Sequence, residues 1–394
     1  MKKIFISILA ITCFLSSGLT SFAISDTKST AEISAVNTSG ELELGVDVGG
    51  AYLIEASTGK VLYAENEFSA ASPASVTKVM TLLLVCEALD AGKFSLNDTV
   101  TISAHAASMG GSQVFLEEGE RITVEDLIKS TVIASGNDSA VALAELTAGS
   151  EAAFVKLMNK RAIELGLKKT SFENTTGLDD TTVNHYTCAA DIGTMSRELI
   201  KHDIILKYSS IWQDTIRNGE FTLTNTNRLV RYYDGCNGLK TGSTDKAGYC
   251  ISATAKRGNM QLIAVIMGAR TRDERNQAAR ELLDYGFANF ALYERGEKFI
   301  EDTDVLSGVK DSIALYSRPF SCVVDKSKLS EVELVYDIPE NLIAPIADGD
   351  VVGSIIYKVN GEQIGKSDIY TSESVEKITF WDIFGRILKR IACG

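Results

Sequence analysis

The sequence is short of the residues from which metal and redox centres are built. Its seven cysteines form no CxxC pair, and Cys13 lies inside an N-terminal apolar run. The other six, Cys86, Cys188, Cys236, Cys250, Cys322 and Cys393, are scattered, so neither a zinc site nor a thiol-redox motif is indicated. They read as buried free thiols, with no bridge assignable from spacing. The three histidines, His105, His185 and His202, show no ligand spacing and read as structural or surface residues. Positive charge is scarce too: 39 Lys and Arg against 52 Asp and Glu leave a net charge of -13. Such a surface repels polyphosphate and argues against nucleic acid as a partner. No internal repeat or low-complexity tract is present. What remains is an ordinary globular composition, 45% hydrophobic and 23% charged, in a chain long enough for one large domain and a smaller one.

The ends carry address information. Lys2 and Lys3 precede the apolar run Ile4 to Leu15, and Ser21-Phe22-Ala23 offers small residues where a signal peptidase reads. This predicts a secretory leader over 1–23, cleaved after Ala23, the alternative being an uncleaved anchor. A lipoprotein reading is weaker, because Thr12 is a poor residue before a lipidated cysteine. Residues 24–44 are rich in Ser and Thr and read as a flexible lead-in. At the other end, 371–394 reads as an amphipathic helix, starting near residue 375. Phe380, Trp381, Ile383, Phe384, Ile387, Leu388 and Ile391 fall on one broad face, and Asp382, Arg386, Lys389 and Arg390 on the other. It is too short and too charged to span a bilayer, so interfacial anchoring is expected, with a packed terminal helix as the alternative.

Between the ends the pattern is α+β. Ala51–Glu55 and Lys60–Ala64 flank Ser57-Thr58-Gly59 as a hairpin. From Ser75 to about Ala91 the chain is helical and apolar nearly all round, which places that helix in the centre of a domain. Helical patterns follow at 123–148, 151–165 and 188–202. Two adjacent antiparallel strands come next, at Tyr249–Thr254 and Leu262–Met267, then a helix from Arg272 to about Phe287. An antiparallel sheet with helices is expected over 45–292. Three of the four prolines lie beyond it, and alternating β-rich runs with Asn360-Gly361 between two of them predict a small all-β domain over 293–370.

Three short motifs carry chemistry. Ser75-Val76-Thr77-Lys78 puts a hydroxyl and an amine one helical turn apart, and a neutral amine can take the proton that a serine nucleophile must lose. S-x-x-K alone is weak, since it also starts at Ser25, Ser57, Ser243, Ser307 and Ser374. Only Ser75 begins a buried helix, where free N–H groups and the helix dipole favour negative charge. Ser135-Gly136-Asn137 adds a hydroxyl and a carboxamide, and by itself could equally be a helix-capping turn. Lys240-Thr241-Gly242 leads into a strand and suits a peptide ending in a carboxylate; alone it could be a polar strand end.

Ser135 follows Ser75 by 60 residues and Lys240 follows by another 105. In that order and with those flanks, the chain resembles the penicillin-binding and serine β-lactamase superfamily, and within it the low-molecular-weight D-Ala-D-Ala carboxypeptidases. The flanks include Ala56 to Lys60, Pro73-Ala74, Asp138, Ser243-Thr244 and Ala247-Gly248-Tyr249. The resemblance implies a β-lactamase/transpeptidase-like domain, no cofactor and no metal. It also implies an enzyme at the outer face of the cytoplasmic membrane that removes the terminal D-Ala from peptidoglycan stem pentapeptides and binds β-lactams covalently. Ser75 would be acylated, Lys78 would accept its proton, and Ser135 would pass one to the departing D-Ala. Asn137 would bond the substrate backbone. Lys240, Thr241, Gly242 and Thr244 would frame the terminal carboxylate, and the amides of Ser75 and Ser243 would form the oxyanion hole. Arg275 would bind the carboxylate, with Arg270 the alternative; a solvated charge is an equal reading of either. Ser243 departs from the aromatic or histidine residue common there in relatives. Gly110-Gly111-Ser112-Gln113 resembles a loop bordering the active site.

Two rivals remain at this level. A serine β-lactamase would need a deacylating carboxylate; Glu173 lies in the right stretch, but Phe172-Glu173-Asn174-Thr175 lacks the E-x-x-L-N arrangement. A catalytically silent peptidoglycan-binding protein would keep the fold, but the three intact motifs argue against it.

Overall fold

Alternate residues of the strand Met260–Ala269 serve two different cores. Ile263, Val265 and Met267 pack with the helical side of the molecule, while Leu262, Ala264 and Ile266 pack against the helix Arg272–Asn289. That period of two, apolar on both faces, makes the strand the middle of a sheet covered on both sides. In the computed structural model, which describes residues 42–180 and 182–393, this sheet has five antiparallel strands. Their order is Val61–Glu65, Gly50–Glu55, Met260–Ala269, Gly248–Arg257 and Cys236–Thr244. The strand bearing Lys240 is thus an edge strand, open on one side to the site. The predicted leader lies outside the described residues, as does nearly all of the predicted lead-in.

The helix Lys78–Asp90 buries residues on every side and is enclosed by the helices Val124–Ile133, Asn137–Ala148, Glu151–Glu164 and Ala189–Leu199. Each large apolar side chain fully removed from water contributes about 1.5–3 kcal/mol, so this helix anchors the helical half. The continuous helical pattern at 123–148 is interrupted in the structure. Ser135 stands at φ 64 and Gly136 at φ -54, ψ 122, ending one helix and starting the next. Ser135 therefore sits at a bend, with its hydroxyl free of any helix. Among the described residues the cysteines are unbridged: Cys86, Cys188, Cys236 and Cys250 are buried, and Cys322 is partly so.

The β-rich region starts earlier than its composition indicates. The strand Phe290–Arg295 pairs with Phe320–Asp325 directly after the helix Arg272–Asn289 ends. A six-stranded sheet follows, whose core includes Ile313, Leu315, Ile355, Tyr357 and Ile369. Asn360 at φ 51 and Gly361 at φ 81 make the tight turn between Val351–Val359 and Glu362–Thr371, as a two-residue hairpin requires. The terminal helix runs over Phe380–Cys393, later than the expected start near 375. The reason is local. Val375 is 1% exposed in the β core and pairs with Ile346, Lys377 bridges Gly308, and Ile378 donates to Ser307 O, so 375–378 still belong to the β layer. The Thr379 hydroxyl then accepts from the amide of Asp382 at the helix start.

Candidate active site

From residue 72 to residue 83 every side chain is buried except that of Ser75. Ser75 belongs to a 3-10 turn, Ala74–Thr77, that leads into the helix Lys78–Asp90. Ala74 is held at φ 47, a left-handed conformation costly for a residue with a Cβ and typical of turns where function is built. Two glycines allow the surrounding backbone to close on it. A Cβ at Gly177 would lie 1.7 Å from Ala74 O, and one at Gly242 would lie 2.7 Å from Ser75 N. Gly242 thus lets the edge strand touch the start of the nucleophile turn.

Lys78 is 0% exposed. Its Nζ lies 2.6 Å from Asn137 Oδ1, 3.0 Å from Thr176 O and 2.9 Å from Ser75 Oγ. A neutral amine has two N–H bonds and one lone pair. The two carbonyl oxygens can only accept, so they take both hydrogens and leave the lone pair facing Ser75 Oγ. Burial, followed by the charge of Lys240, holds Lys78 well below its ordinary range, which favours that neutral form.

The second hydroxyl is held from the opposite wall. Lys240 Nζ donates to Ser135 Oγ at 2.8 Å and to Thr241 O at 2.7 Å. Burial and the nearby Arg275 guanidinium bring Lys240 down to about 7. Asn137 does not face the cleft. Its Oδ1 accepts from Lys78, and its Nδ2 donates to Gly110 O at 2.7 Å, so both ends of its amide are engaged within the protein. Asp138 accepts from the amides of Val114 and Leu116, which fastens the 110–116 loop beside the site.

Ser75, Ser135, Thr241, Gly242, Ser243 and Arg275 line one cleft of about 590 Å³. Arg275 is 3% exposed, with its guanidinium on Asn276 Oδ1, and burial pulls it down to about 10. Arg270, the alternative, is exposed and pairs with Asp47 at 2.7 Å. Thr241 Oγ1 donates to Thr226 Oγ1 at 2.8 Å, on the same wall. Thr244 differs from expectation. Its hydroxyl donates to Asp179 at 2.5 Å and accepts from the amide of Ala247, so it ties the 179 loop to the strand end and does not line the cleft.

The cleft wall also holds Ser112, from the 110–113 loop that the resemblance set at the border of the site, and Trp212, Arg228, Tyr232 and Arg272, which carry no sequence mark as site residues; among the described residues it contains no carboxylate. Trp212 and Arg228 stand between elements, Tyr232 ends the short helix Leu229–Tyr232 and Arg272 starts the helix Arg272–Asn289, and none of the four belongs to one of the three motifs. Only the Asn227-Arg228 pair, shortly before Lys240, offered a cue. Glu173 is exposed and accepts from Val183 N at 2.7 Å, outside the cleft. His185 is buried; its Nδ1 accepts from Glu173 N, so Nε2 donates to Thr77 Oγ1, and burial lowers it to about 4. His105 pairs with Glu151 and His202 with Asp90. Among the described residues no group of three His, Cys, Asp or Glu is placed to hold a metal ion.

Comparison with known proteins gives the family and the fold. The family described as D-alanyl-D-alanine carboxypeptidase matches residues 37–271, and the C-terminal domain of penicillin-binding protein 5 matches 287–377. The D-alanyl-D-alanine carboxypeptidase DacF of Bacillus subtilis is 44% identical over 346 residues, covering 86% of this chain and 88% of that one. Penicillin-binding protein 5 from Haemophilus influenzae superimposes with a TM-score of 0.74 at 34% identity, over 86% of this chain and all of that one. Penicillin-binding protein D2 from Listeria monocytogenes, in an ampicillin-bound form, gives a TM-score of 0.58 at 30% identity over 62% of this chain and 100% of that one.

Proposed function

The chain belongs to the D-alanyl-D-alanine carboxypeptidase family and is a serine-type carboxypeptidase of that specificity that binds penicillin, and from this premise we propose how its own residues divide the work. Ser75 Oγ attacks the carbonyl carbon of the penultimate D-Ala while Lys78 takes its proton. The amides of Ser75 and Ser243 receive the developing oxyanion. Ser135, held by Lys240, passes a proton to the departing nitrogen. The terminal carboxylate rests against Thr241 and the guanidinium of Arg275. Water then cleaves the Ser75 ester. Asn137 positions Lys78, and Thr244 holds the 179 loop. The observation that carries this division is the lone pair of Lys78, left facing Ser75 after two carbonyl oxygens have taken its hydrogens.

A β-lactamase reading finds no support in the cleft wall, which has no carboxylate to activate a deacylating water. Incubating the chain with a pentapeptide ending in D-Ala-D-Ala should release one D-alanine per peptide, while a penicilloyl adduct persists. Rapid turnover of penicillin with no D-alanine released would reverse the two readings.

The enzyme works on the cell wall outside the cytoplasm, and the terminal helix is its anchor to the membrane surface. Phe380, Trp381, Ile383, Phe384, Ile387, Leu388 and Ile391 are each 45–74% exposed, so the apolar face is not spent on the β domain. No described helix is long and apolar enough to cross a membrane, which suits a helix lying in the interface with its basic face toward anionic lipid. A chain ending at Ile378 keeps Val375 in the β core and should stay in the supernatant when spun with anionic vesicles, with D-alanine release unchanged. Equal sedimentation of the shortened and full chains would remove the helix as the anchor.

A further inference from the structure

An antiparallel sheet that packs on a core with one face normally carries polar residues on the other. In the six-stranded sheet of the β domain, alternation along each strand identifies the outer positions. Ile313 and Leu315 point into the core, so Ala314 and Tyr316 point out, and Ile369 points in, so Tyr370 points out. Register then links the outer residues of four neighbouring strands. Phe299 stands opposite Tyr316, Tyr316 opposite Tyr370, and Tyr370 opposite Val351. The ring centroids of Phe299 and Tyr316 are 5.8 Å apart, and those of Tyr316 and Tyr370 are 6.3 Å apart.

A row of three aromatic rings and a valine thus crosses the sheet on the side away from its core. Phe299 is 47% exposed and Val351 59%, and Tyr316 and Tyr370 are half-buried. The β core lies on the opposite face and draws nothing from the row, and a continuous exposed apolar strip of this kind marks a binding surface.

The polar groups around the row decide what kind of partner fits. Arg318 lies flat on Tyr370, 4.0 Å from the ring centroid, and closes one side of the row. Asp302 and Asp368, on outer positions of the same strands, are exposed, and their carboxylates pair with no cation among the described residues. Carboxylates at the rim repel anionic lipid and anionic polymers, but they accept from hydroxyl groups. A partner with flat apolar patches, many hydroxyls and no charge is a sugar chain. Its rings follow one another in a line, each about as long as the distance between neighbouring strands, about 4.8 Å. The C–H faces of such rings rest on aromatic side chains, and their hydroxyls reach the polar groups beside them.

We propose that the row of Phe299, Tyr316, Tyr370 and Val351 binds the neutral glycan strand of peptidoglycan, so that the β domain holds the enzyme on the polymer while Ser75 works on its stem peptides. The choice of this glycan rests on the reading of the chain as a peptidoglycan carboxypeptidase. The binding itself involves no covalent step and no residue of the cleft.

The test uses the full chain and glycan strands freed of their stem peptides by an amidase, which contain no bond for Ser75 to cleave. Beads carrying these strands should retain the chain. Phe299→Ser combined with Tyr370→Ser should weaken retention by about fivefold or more, the scale of lost aromatic contacts, and leave D-alanine release from a soluble pentapeptide unchanged. Release from intact peptidoglycan should fall in that variant through a higher KM. Val351→Glu, which alters the most exposed member of the row and no packed side chain, should weaken retention as well and keeps the test open if the double variant misfolds. Equal retention of the unaltered chain and the folded variants overturns the row as the site. No retention of the unaltered chain, with the pentapeptide still cleaved, overturns the inference and spares the carboxypeptidase assignment. Retention without cleavage of the pentapeptide does the reverse. Self-association that depends on the row, with no retention on glycan, overturns the inference in favour of a second copy of this chain.

Discussion

A Ser75→Ala chain should form no covalent adduct with labelled penicillin, and its D-alanine release should fall by about 10⁴-fold or more, the scale seen when a serine nucleophile is removed. Stability should change by only about 1 kcal/mol, because Ser75 is partly exposed and its hydroxyl bonds only Lys78. The other S-x-x-K serines within the described residues have different work. Ser57 donates to the Glu55 carboxylate, and Ser374 accepts from the amide of Asp348. Ser307 turns the chain at φ 58, and Ser243 lies on the edge strand with Lys246 exposed. Mass mapping of the penicilloyl peptide in the wild-type chain decides the point. An adduct retained in the variant, or found on any other serine, removes Ser75 from its role.

Lys78→Arg should cut acylation by about 10²–10⁴-fold, since a guanidinium stays protonated and cannot accept the serine proton. The site is fully buried, so Lys78→Met serves as a second variant of similar length without a charge to desolvate. It should lose acylation equally while circular dichroism reports a folded chain. The pH profile separates the two lysines. Acylation rises with pH as Lys78 loses its proton, which happens well below its ordinary range because burial and Lys240 disfavour the charged form. It falls as Lys240 loses its own proton at about 7, releasing the charge that holds Ser135. Lys240→Arg keeps a cation at every working pH, so it should retain part of the acylation and move the falling limb upward by about two pH units or more. A falling limb that stays in place would assign it to another group, and full acylation in Lys78→Arg would show that another base serves Ser75.

Much of this was legible because it depends on neighbours in sequence. A helix apolar on all sides has nowhere to go but the centre of a domain, and that alone singled Ser75 out from the other S-x-x-K serines. Alternation of two marked Leu262–Met267 as a strand, and Asn360-Gly361 marked a tight turn. The order of three motifs with their flanks identified the family, since such short-range patterns persist in the chain whatever its tertiary contacts. Length and charge in the last residues already ruled out a spanning helix.

Other features exist only where distant segments meet. That Lys78 faces Ser75 with its lone pair follows from Asn137 and Thr176 occupying its hydrogens, and neither is near it in sequence. Asn137 bonds Lys78 and Gly110, and Thr244 bonds Asp179, because hydrogen-bond partners are chosen by which strand and loop stand opposite. Arg275 and Arg270 lie five residues apart, yet one is buried in the cleft and the other paired with Asp47 in solvent, because Arg275 stands on the buried face of the helix Arg272–Asn289 while Arg270 lies before its cap. Trp212, Arg228 and Tyr232 carry no motif and become part of the site only because the tertiary fold sets them on the cleft wall. Residues 375–378 read as the start of a helix, but backbone pairing with Ile346, Gly308 and Ser307 holds them in the β layer. Local composition determined which chemistry the chain carries and in what order, and long-range packing decided which atoms face one another.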